Sequence, residues 1–326
     1  MIVLVTGGAG YIGSHTVRLL LAEGHEVWVY DNLSTGHRQA VPADRLIEGE
    51  LLDRVRVRTL LREKQIDAVV HFAASALVGE SVTDPAKYYH NNVVATHSLL
   101  SAMLDAHVRR IVFSSTTATY GTPQRVPIRE EEPQHPINPY GFSKLVIEQM
   151  LRDYAVAYGL RYAALRYFNA AGASPQGDLG EDHQPESHLI PLVLQVALGQ
   201  RAALTIFGDD YPTADGTCIR DYVHVDDLAT AHLAALQQIH DSGPFELNLG
   251  TGRGASVLEV LEACRRITGH PIPAQVGPRR PGDPAELVAD SRLAQQQLDW
   301  QPQYKQIEPI IETAWRWHRT HPRGFA

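Results

Sequence analysis

Cysteine, lysine and long apolar runs are what this chain of 326 residues has least of. Its only two cysteines, Cys218 and Cys264, are distant from each other and outside any metal-type spacing. That excludes a disulfide-stapled scaffold and a cysteine-built metal centre and fits a reducing compartment, with a single bridge between the two left open. No stretch of about 18 apolar residues occurs, so no helix is expected to span a membrane. The opening "MIVLVTGG" lacks the basic stretch, apolar run and cleavage site of a secretory signal. Together these make the cytoplasm the expected location. Basic residues are outnumbered: 29 Lys and Arg against 37 Asp and Glu leave a formal net charge of −8. That balance argues against a nucleic-acid partner, although a few arginines in a cleft hold a phosphate whatever the total. Only four of the basic residues are lysines, so the position of each one carries information.

What is present is an ordinary globular composition, 44% hydrophobic and 20% charged, with core enough for one large or two modest domains. Apolar, β-branched runs at 1–6, 26–31, 45–49, 67–74, 109–115 and 161–169 read as strands. Helical patterns near 11–23, 53–64, 85–106 and 139–157 separate them. Strands alternating with helices mean βαβ units and a parallel sheet covered on both faces. The fold class expected is therefore α/β, a Rossmann-type doubly wound parallel sheet with a smaller, interleaved C-terminal α/β domain for substrate. The boundary falls at 1–168 and 169–326, with a segment near 224–250 returning to the large sheet, because "FELNLG" (245–250) reads as one of its strands. The Gly/Pro/Asp-rich stretch 170–188 reads as a functional loop. Helices are expected again near 187–199, 226–239, 256–267 and 306–320.

"TGGAGYIG" sets Gly7, Gly10 and Gly13 between the first strand and the first helix. Glycine is needed there because the backbone must turn tightly and approach a pyrophosphate with no Cβ between them, while the helix start offers free N–H groups and positive dipole. Such a run is weak by itself, but the strand before it and the helix after it are the context that a dinucleotide site requires. Asp31 ends the second strand, where a carboxylate accepts from ribose hydroxyls and repels a 2′-phosphate, favouring NAD over NADP. Arg38 follows that acid and is less well placed for a 2′-phosphate.

"NPYGFSKL" (138–145) puts Lys144 four residues after Tyr140. With 13 tyrosines and four lysines in the chain, chance supplies about 0.16 such pairs. Residues i and i+4 share a helix face, so both can enter one cleft. Free tyrosine, with a pKa of about 10, is a poor base; bringing it near 7 takes roughly 4 kcal/mol of phenolate stabilisation. A lysine charge ~6 Å away at an effective dielectric of ~20 supplies roughly 2.8 kcal/mol. An oxidised nicotinamide ring would supply the rest, so the pair makes sense beside NAD⁺. "FSSTTATYG" adds hydroxyls at a strand end, where one could bind the oxygen that Tyr140 deprotonates.

With these elements placed, the chain resembles the extended short-chain dehydrogenase/reductase superfamily and, within it, the UDP-glucose 4-epimerases. The likeness runs nearly end to end, through "VTGGAGYIGSH", "DNLSTG", "VVHFAA", "YYHNNV", "NPYGFSKL", "LRYFNAAGA", "HLIPLVLQVALG" and the long block "IFGDDYPTADGTCIRDYVHVDDLA". The resemblance implies an isomerase with bound NAD, acting on UDP-glucose and UDP-galactose through a 4-ketose. Tyr140 would exchange the proton of the sugar 4-OH, Lys144 would hold the nicotinamide ribose and lower the tyrosine pKa, and Thr116, with Thr117 the alternative, would be the helper hydroxyl. The cofactor set it implies is Gly7, Gly10, Tyr11, Ile12, Gly13, Asp31, Asn32, Glu50, Leu51, Phe72, Ala73, Ala74, Asn91, Ser114 and Tyr167, besides Tyr140 and Lys144. For the substrate it implies Thr205 among the binding residues, Asn169, His188 and Leu189 near the diphosphate, Phe207 near uracil, Arg220 and Arg280 on the pyrophosphate, Asp283 on the uridine ribose, and Leu287 beside the sugar.

Some positions depart from that pattern. Glu50 stands where aspartate is common, Ala76 where some members have lysine, and His188 where others have asparagine. Leu287 replaces a bulky tyrosine, which leaves room for UDP-N-acetylhexosamines. A 4,6-dehydratase needs an acid pair after its serine/threonine, and Thr117 and Ala118 cannot serve. Another nucleotide-sugar epimerase or decarboxylase, or a non-catalytic NAD-sensing protein, stays open at this point. Sixteen histidines invite a metal, particularly His183 and His188 in "GEDHQPESH", but the spacing matches no common motif and no metal is expected. His71 and His224 lie in apolar runs and read as structural. The helices near 85–106 and 139–157 have apolar positions on more than one side; the family resemblance implies a homodimer, and core burial explains them equally well.

Overall fold

The computed structural model describes residues 1–280 and 283–325. The chain begins β1 (Ile2–Thr6), α1 (Tyr11–Ala22), β2 (Glu26–Asp31), β3 (Leu46–Glu48), α2 (Arg54–Glu63) and β4 (Ala68–His71). Helices α3 (Val78–Thr83), α4 (Pro85–Tyr88) and α5 (Ala95–Asp105) lead to β5 (Arg110–Thr116), α6 (Pro139–Tyr158) and β6 (Arg161–Tyr167). Then follow β7 (Asn169–Ala171), α7 (Leu189–Ala197), β8 (Leu204–Phe207), β9 (Ile219–His224), α8 (Val225–Gln238) and β10 (Phe245–Leu249). The C-terminal part holds β11 (Gly254–Ser256), α9 (Val257–Thr268), β12 (Ala274–Gly277), β13 (Glu286–Leu287), α10 (Arg292–Leu298) and α11 (Ile307–Thr320).

Seven strands form one sheet in the order β10-β6-β5-β4-β1-β2-β3, with every pairing parallel. This is the doubly wound α/β arrangement. Alternate side chains point to opposite faces, so Val3 and Val5 pack with Val17 and Leu20 of α1 and Leu236 of α8, while Leu4 packs with Leu61, Leu99 and Met103 on the other side. Strand order reverses across β1 and β4, and the carboxyl edge of such a switch point is where open α/β sheets bind ligands. A second core, with Val193, Leu194, Leu261, Cys264 and Ile311, lies under β9, which pairs with β7, β11 and β13. Cys218 and Cys264 are both free thiols. Among the described residues, no helix is long and apolar enough to cross a membrane.

Two predicted elements come out differently. The strand placed at 67–74 stops at His71, because Phe72 N–H and Ala73 N–H both donate to Thr6 O (2.8 and 3.0 Å) and leave the ladder. The helix placed at 85–106 is interrupted by a π-helical turn, Tyr89–Val94. There the buried Asn92 side chain accepts from Ser75 N–H (2.8 Å) and donates to Ser75 O and Ser143 Oγ (both 3.0 Å). This ties the turn to the loop after β4 and to α6, and such bulges concentrate at functional sites.

Candidate active site

Since β1, β4, β5 and β6 are parallel and adjacent, their last residues share one edge: Thr6 pairs with His71 and Thr116 with Tyr167. Gly7, Phe72–Ala74, Ser114–Thr116 and Tyr167–Asn169 therefore gather at that edge. Gly7 has φ +71°, and a Cβ there would stand 2.4 Å from Ala73 N; a Cβ on Gly13 would lie 2.3 Å from Gly7 O. Gly10 caps α1 without any side-chain hydrogen bond, which leaves the first N–H groups of the helix, on Tyr11 and Ile12, available to an anion. The Tyr11 hydroxyl donates to Gly172 O (2.6 Å), bringing the loop after β7 over the turn.

Asp31 is buried, and its two oxygens accept from Ala9 N–H (2.9 Å) and Leu33 N–H (2.8 Å). Burial pushes its carboxyl up; lone pairs remain for further donors. Asn32 donates to both oxygens of Glu50 (3.2 Å each), so these two predicted residues meet beside it, and Ser98 Oγ donates to Leu51 O (2.6 Å). Arg38 is paired with Glu48 at the surface. Asn91 donates to Ser75 Oγ (3.1 Å) from the π-helical turn.

Asn138 and Pro139 explain why Tyr140 and Lys144 stand where they do. The Asn138 side chain accepts from Gly141 N–H (2.8 Å) and Pro139 takes the first helical position, so α6 starts there and Tyr140 falls in its first turn. Lys144 is buried, donates Nζ to Ser114 O (2.8 Å) and lies over the Phe113 ring (4.8 Å). Its ammonium is pushed down to about 7 by burial. Tyr140 differs from expectation: burial pushes the phenol up, and the influence pulling it down comes from the Thr116 hydroxyl, not from Lys144. The Tyr167 hydroxyl is hydrogen-bonded to Ser114 Oγ, and burial raises its phenol.

Behind Tyr167, sequence reasoning missed His232. Its ring packs on Phe72 (4.6 Å) and Tyr167 (6.0 Å), Nδ1 lies 2.8 Å from Leu228 O, and Nε2 has no partner among the described residues. Burial pushes its pKa down to about 4. A histidine depressed in the folded state stabilises above the unfolded value of about 6.5, and that stability is lost as pH falls from there towards 4. Urea unfolding at pH 7 and pH 5 should therefore show His232→Leu losing about 2 kcal/mol less on acidification than the parent chain; equal losses would assign the ring no such role. His71 and His224 are bonded as structural histidines are. The His71 nitrogens lie 2.7 and 2.8 Å from the Thr6 and Thr96 hydroxyls, and His224 Nε2 lies 3.0 Å from the Thr313 hydroxyl.

In the second group of predicted residues, Asn169, Thr205, Phe207, Arg220 and Leu287 lie on strands of the smaller sheets. Asn169 (β7) is in register with Tyr222 of β9, and Leu287 (β13) with Arg220. Arg220 is ion-paired with Asp283, so the arginine expected on phosphate and the acid expected on ribose hold each other. The Arg280 guanidinium covers the Phe207 ring (4.1 Å), while Thr205 lies two residues before it on β8. His188 caps α7, with Leu189 its first residue. Two surface hollows, one around Arg266 and Lys305 and one around Arg129 and Arg292, contain none of the predicted residues.

The comparisons with known proteins agree with this geometry. The sequence profile of the NAD dependent epimerase/dehydratase family matches residues 3–250. A UDP-glucose 4-epimerase of Halalkalibacterium halodurans is 56% identical over 327 residues, covering 100% of this chain and 98% of the relative. The crystal structure of UDP-glucose 4-epimerase from Brucella ovis in complex with NAD superposes with a TM-score of 0.94 at 53% identity, covering 96% of this chain and 97% of that one. The Bifidobacterium longum UDP-glucose 4-epimerase in complex with NAD⁺ and UDP gives 0.95 at 42% identity over 100% of both. By its strands, its glycine turn and these likenesses, the chain belongs to the NAD dependent epimerase/dehydratase family and, within it, to the UDP-glucose 4-epimerases.

Proposed function

We propose that the chain interconverts UDP-glucose and UDP-galactose by NAD-dependent epimerisation at C4, through a transient UDP-4-ketohexose. The observation that carries this is the placing of Tyr140 and Lys144 on one helix face, with Lys144 buried and bonded to Ser114 O at the carboxyl edge of the sheet and the Thr116 hydroxyl lowering the Tyr140 phenol. The glycine turn suits the cofactor, since it is open where a Cβ would collide and its helix start is uncapped. When bound, NAD⁺ supplies a hydride acceptor at C4 that can return the hydride to either face of the ketose. The residues of this chain do the rest. Tyr140 takes the 4-OH proton and gives one back, with Thr116 orienting the oxygen. Lys144, close to half-charged at neutral pH when alone, becomes fully charged beside ribose hydroxyls and phosphates and holds the phenolate.

Asp31 with Asn32, Glu50, Leu51 and Phe72–Ala74 takes the adenosine and phosphate side of the cofactor, and Asn91, Ser114 and Tyr167 the nicotinamide side. Asn169, His188, Leu189, Thr205, Phe207, Arg220, Arg280, Asp283 and Leu287 take the UDP-sugar. This requires Arg280 to leave the Phe207 face and Arg220 to share its charge between Asp283 and the diphosphate. In domain terms, residues 1–168 with 224–250 serve the cofactor and the remainder of 169–326 the substrate. A homodimer in the cytoplasm belongs to the same reading, supported by apolar side chains left outside on neighbouring helices: Val82 (62% exposed), Val94 (48%) and Phe142 (46%).

One preparation tests the reading. Denatured protein should release about one NAD per chain, native protein should convert UDP-galactose without added cofactor, and light scattering should give two chains. Because Leu287 leaves space, UDP-N-acetylglucosamine should also turn over. Release of NAD without conversion of UDP-galactose would make the chain a binding protein instead.

A further inference from the structure

The spacing of "GEDHQPESH" matches no metal motif, yet the loop folds so that four of its side chains converge. Glu181, His183, Glu186 and His188 each offer a ligand atom, and these atoms all lie within 4.8 Å of one another. His183 Nδ1 is 3.1 Å from Glu181 Oε1, His188 Nδ1 is in contact with the same oxygen, and His188 Nδ1 is 3.6 Å from Glu186 Oε1. Four ligands held tetrahedrally at about 2.0–2.1 Å from Zn²⁺ stand about 3.3 Å apart, and these separations bracket that edge.

We infer that Glu181, His183, Glu186 and His188 form a binding site for one divalent zinc ion. Charge points the same way as distance. The two carboxylates are nearly sealed from water, with side chains 3% and 5% exposed, and they share one small space. Each carboxylate lies against an imidazole nitrogen, and one dication bound among the four compensates both carboxylates in place of protons on the rings. Two nitrogens and two carboxylate oxygens are also a ligand set that zinc accepts and that Mg²⁺ and Ca²⁺, which take oxygen, do not favour.

The ion fastens a loop and is structural. Residues 181–188 lead directly into α7, and the His183 ring stands edge-on to Tyr11 (6.1 Å) of the glycine turn. Ligation by Nδ1 leaves His188 Nε2 free, so the site fixes the cap of α7 without consuming that nitrogen. The inference does not depend on the reaction, because its readout is metal content.

The whole chain, stripped with a chelator and titrated with Zn²⁺ against a chromophoric competitor, should bind one ion per chain tighter than about 1 μM. Co²⁺ in its place should give the intense visible absorption of a tetrahedral site. His183→Ala and Glu186→Gln should each weaken Zn²⁺ binding by at least about 30-fold, and His135→Ala, an exposed histidine elsewhere, should not. Zinc should raise the thermal midpoint of the parent chain and not of the two ligand variants. No saturable binding tighter than about 1 μM in the parent chain would overturn the site even if the variants failed to fold. So would binding that survives both ligand substitutions, or a Co²⁺ spectrum of the weak octahedral type.

Discussion

Tyr140→Phe should leave NAD bound and lower the turnover of UDP-galactose by about 100- to 10,000-fold, the range that a positioned acid–base group contributes. Phenylalanine keeps the ring edge-on to Tyr88, so the loss reports the hydroxyl alone. The size of the effect follows from how far the phenol is from being a base. Burial moves Tyr140 the wrong way, and only the Thr116 hydroxyl opposes it in the free chain. From an unperturbed value of about 10, phenolate needs roughly 4 kcal/mol of stabilisation to ionise near neutrality, and burial adds to that. A lysine charge ~6 Å away gives roughly 2.8 kcal/mol, so Lys144 alone falls short. The remainder comes with the positively charged cofactor ring, which confines the base to the loaded enzyme. The measurement is kcat by conversion of UDP-galactose, with NAD content determined on the same sample. Turnover within a factor of about 3 of the parent would remove Tyr140 from the chemistry.

Arg166→Met should cost about 3–5 kcal/mol of stability, read from the urea midpoint. Arg166 on β6 is 1% exposed and Glu148 on α6 is sealed completely. Two parallel hydrogen bonds join them, Nε to Oε1 (2.9 Å) and Nη2 to Oε2 (2.7 Å). Nη2 also reaches Glu246 of β10 (2.6 Å) and Nη1 the Tyr120 hydroxyl (3.0 Å). Removing the guanidinium leaves the buried Glu148 carboxylate with only the longer contact to the partly exposed Arg152 (3.3 Å), which is close to the expensive case of an unpaired buried charge. Replacing Glu148 by leucine in the same molecule should restore most of the loss, since it removes the stranded charge. A single-variant loss below about 1 kcal/mol would mean that the network is solvated in solution. The network matters for activity because it clamps α6, the helix bearing Tyr140 and Lys144, to the sheet edge that receives the ligands.

Much of this was legible in the chain. Strands β1, β2, β5 and β6 fall within a residue or two of the positions expected, because short β-branched runs between helical patterns admit few other folds. The glycine turn, Asp31 and the Tyr140–Lys144 spacing are local features, and local geometry follows from nearby residues. The π-helical turn was not legible, because it depends on Asn92 finding Ser75, 17 residues away. His232 has no signal of its own; it matters only because α8 lays it against Phe72 and Tyr167. The pairing of Arg220 with Asp283 joins residues 63 apart and changes what each is free to do before substrate arrives.

By itself, then, the sequence determined the sheet, the glycine turn and the pairing of Tyr140 with Lys144 on one helix, since each is written in a periodicity or spacing of a few residues. Tertiary structure decided the electrical state of those residues: how far burial raises Tyr140, how low it holds Lys144, and which hydroxyl acts on the phenol. It also decided that Glu181, His183, Glu186 and His188 meet in one place. Charge and dielectric depend on everything within several ångströms, and the neighbours at that range come from distant parts of the chain.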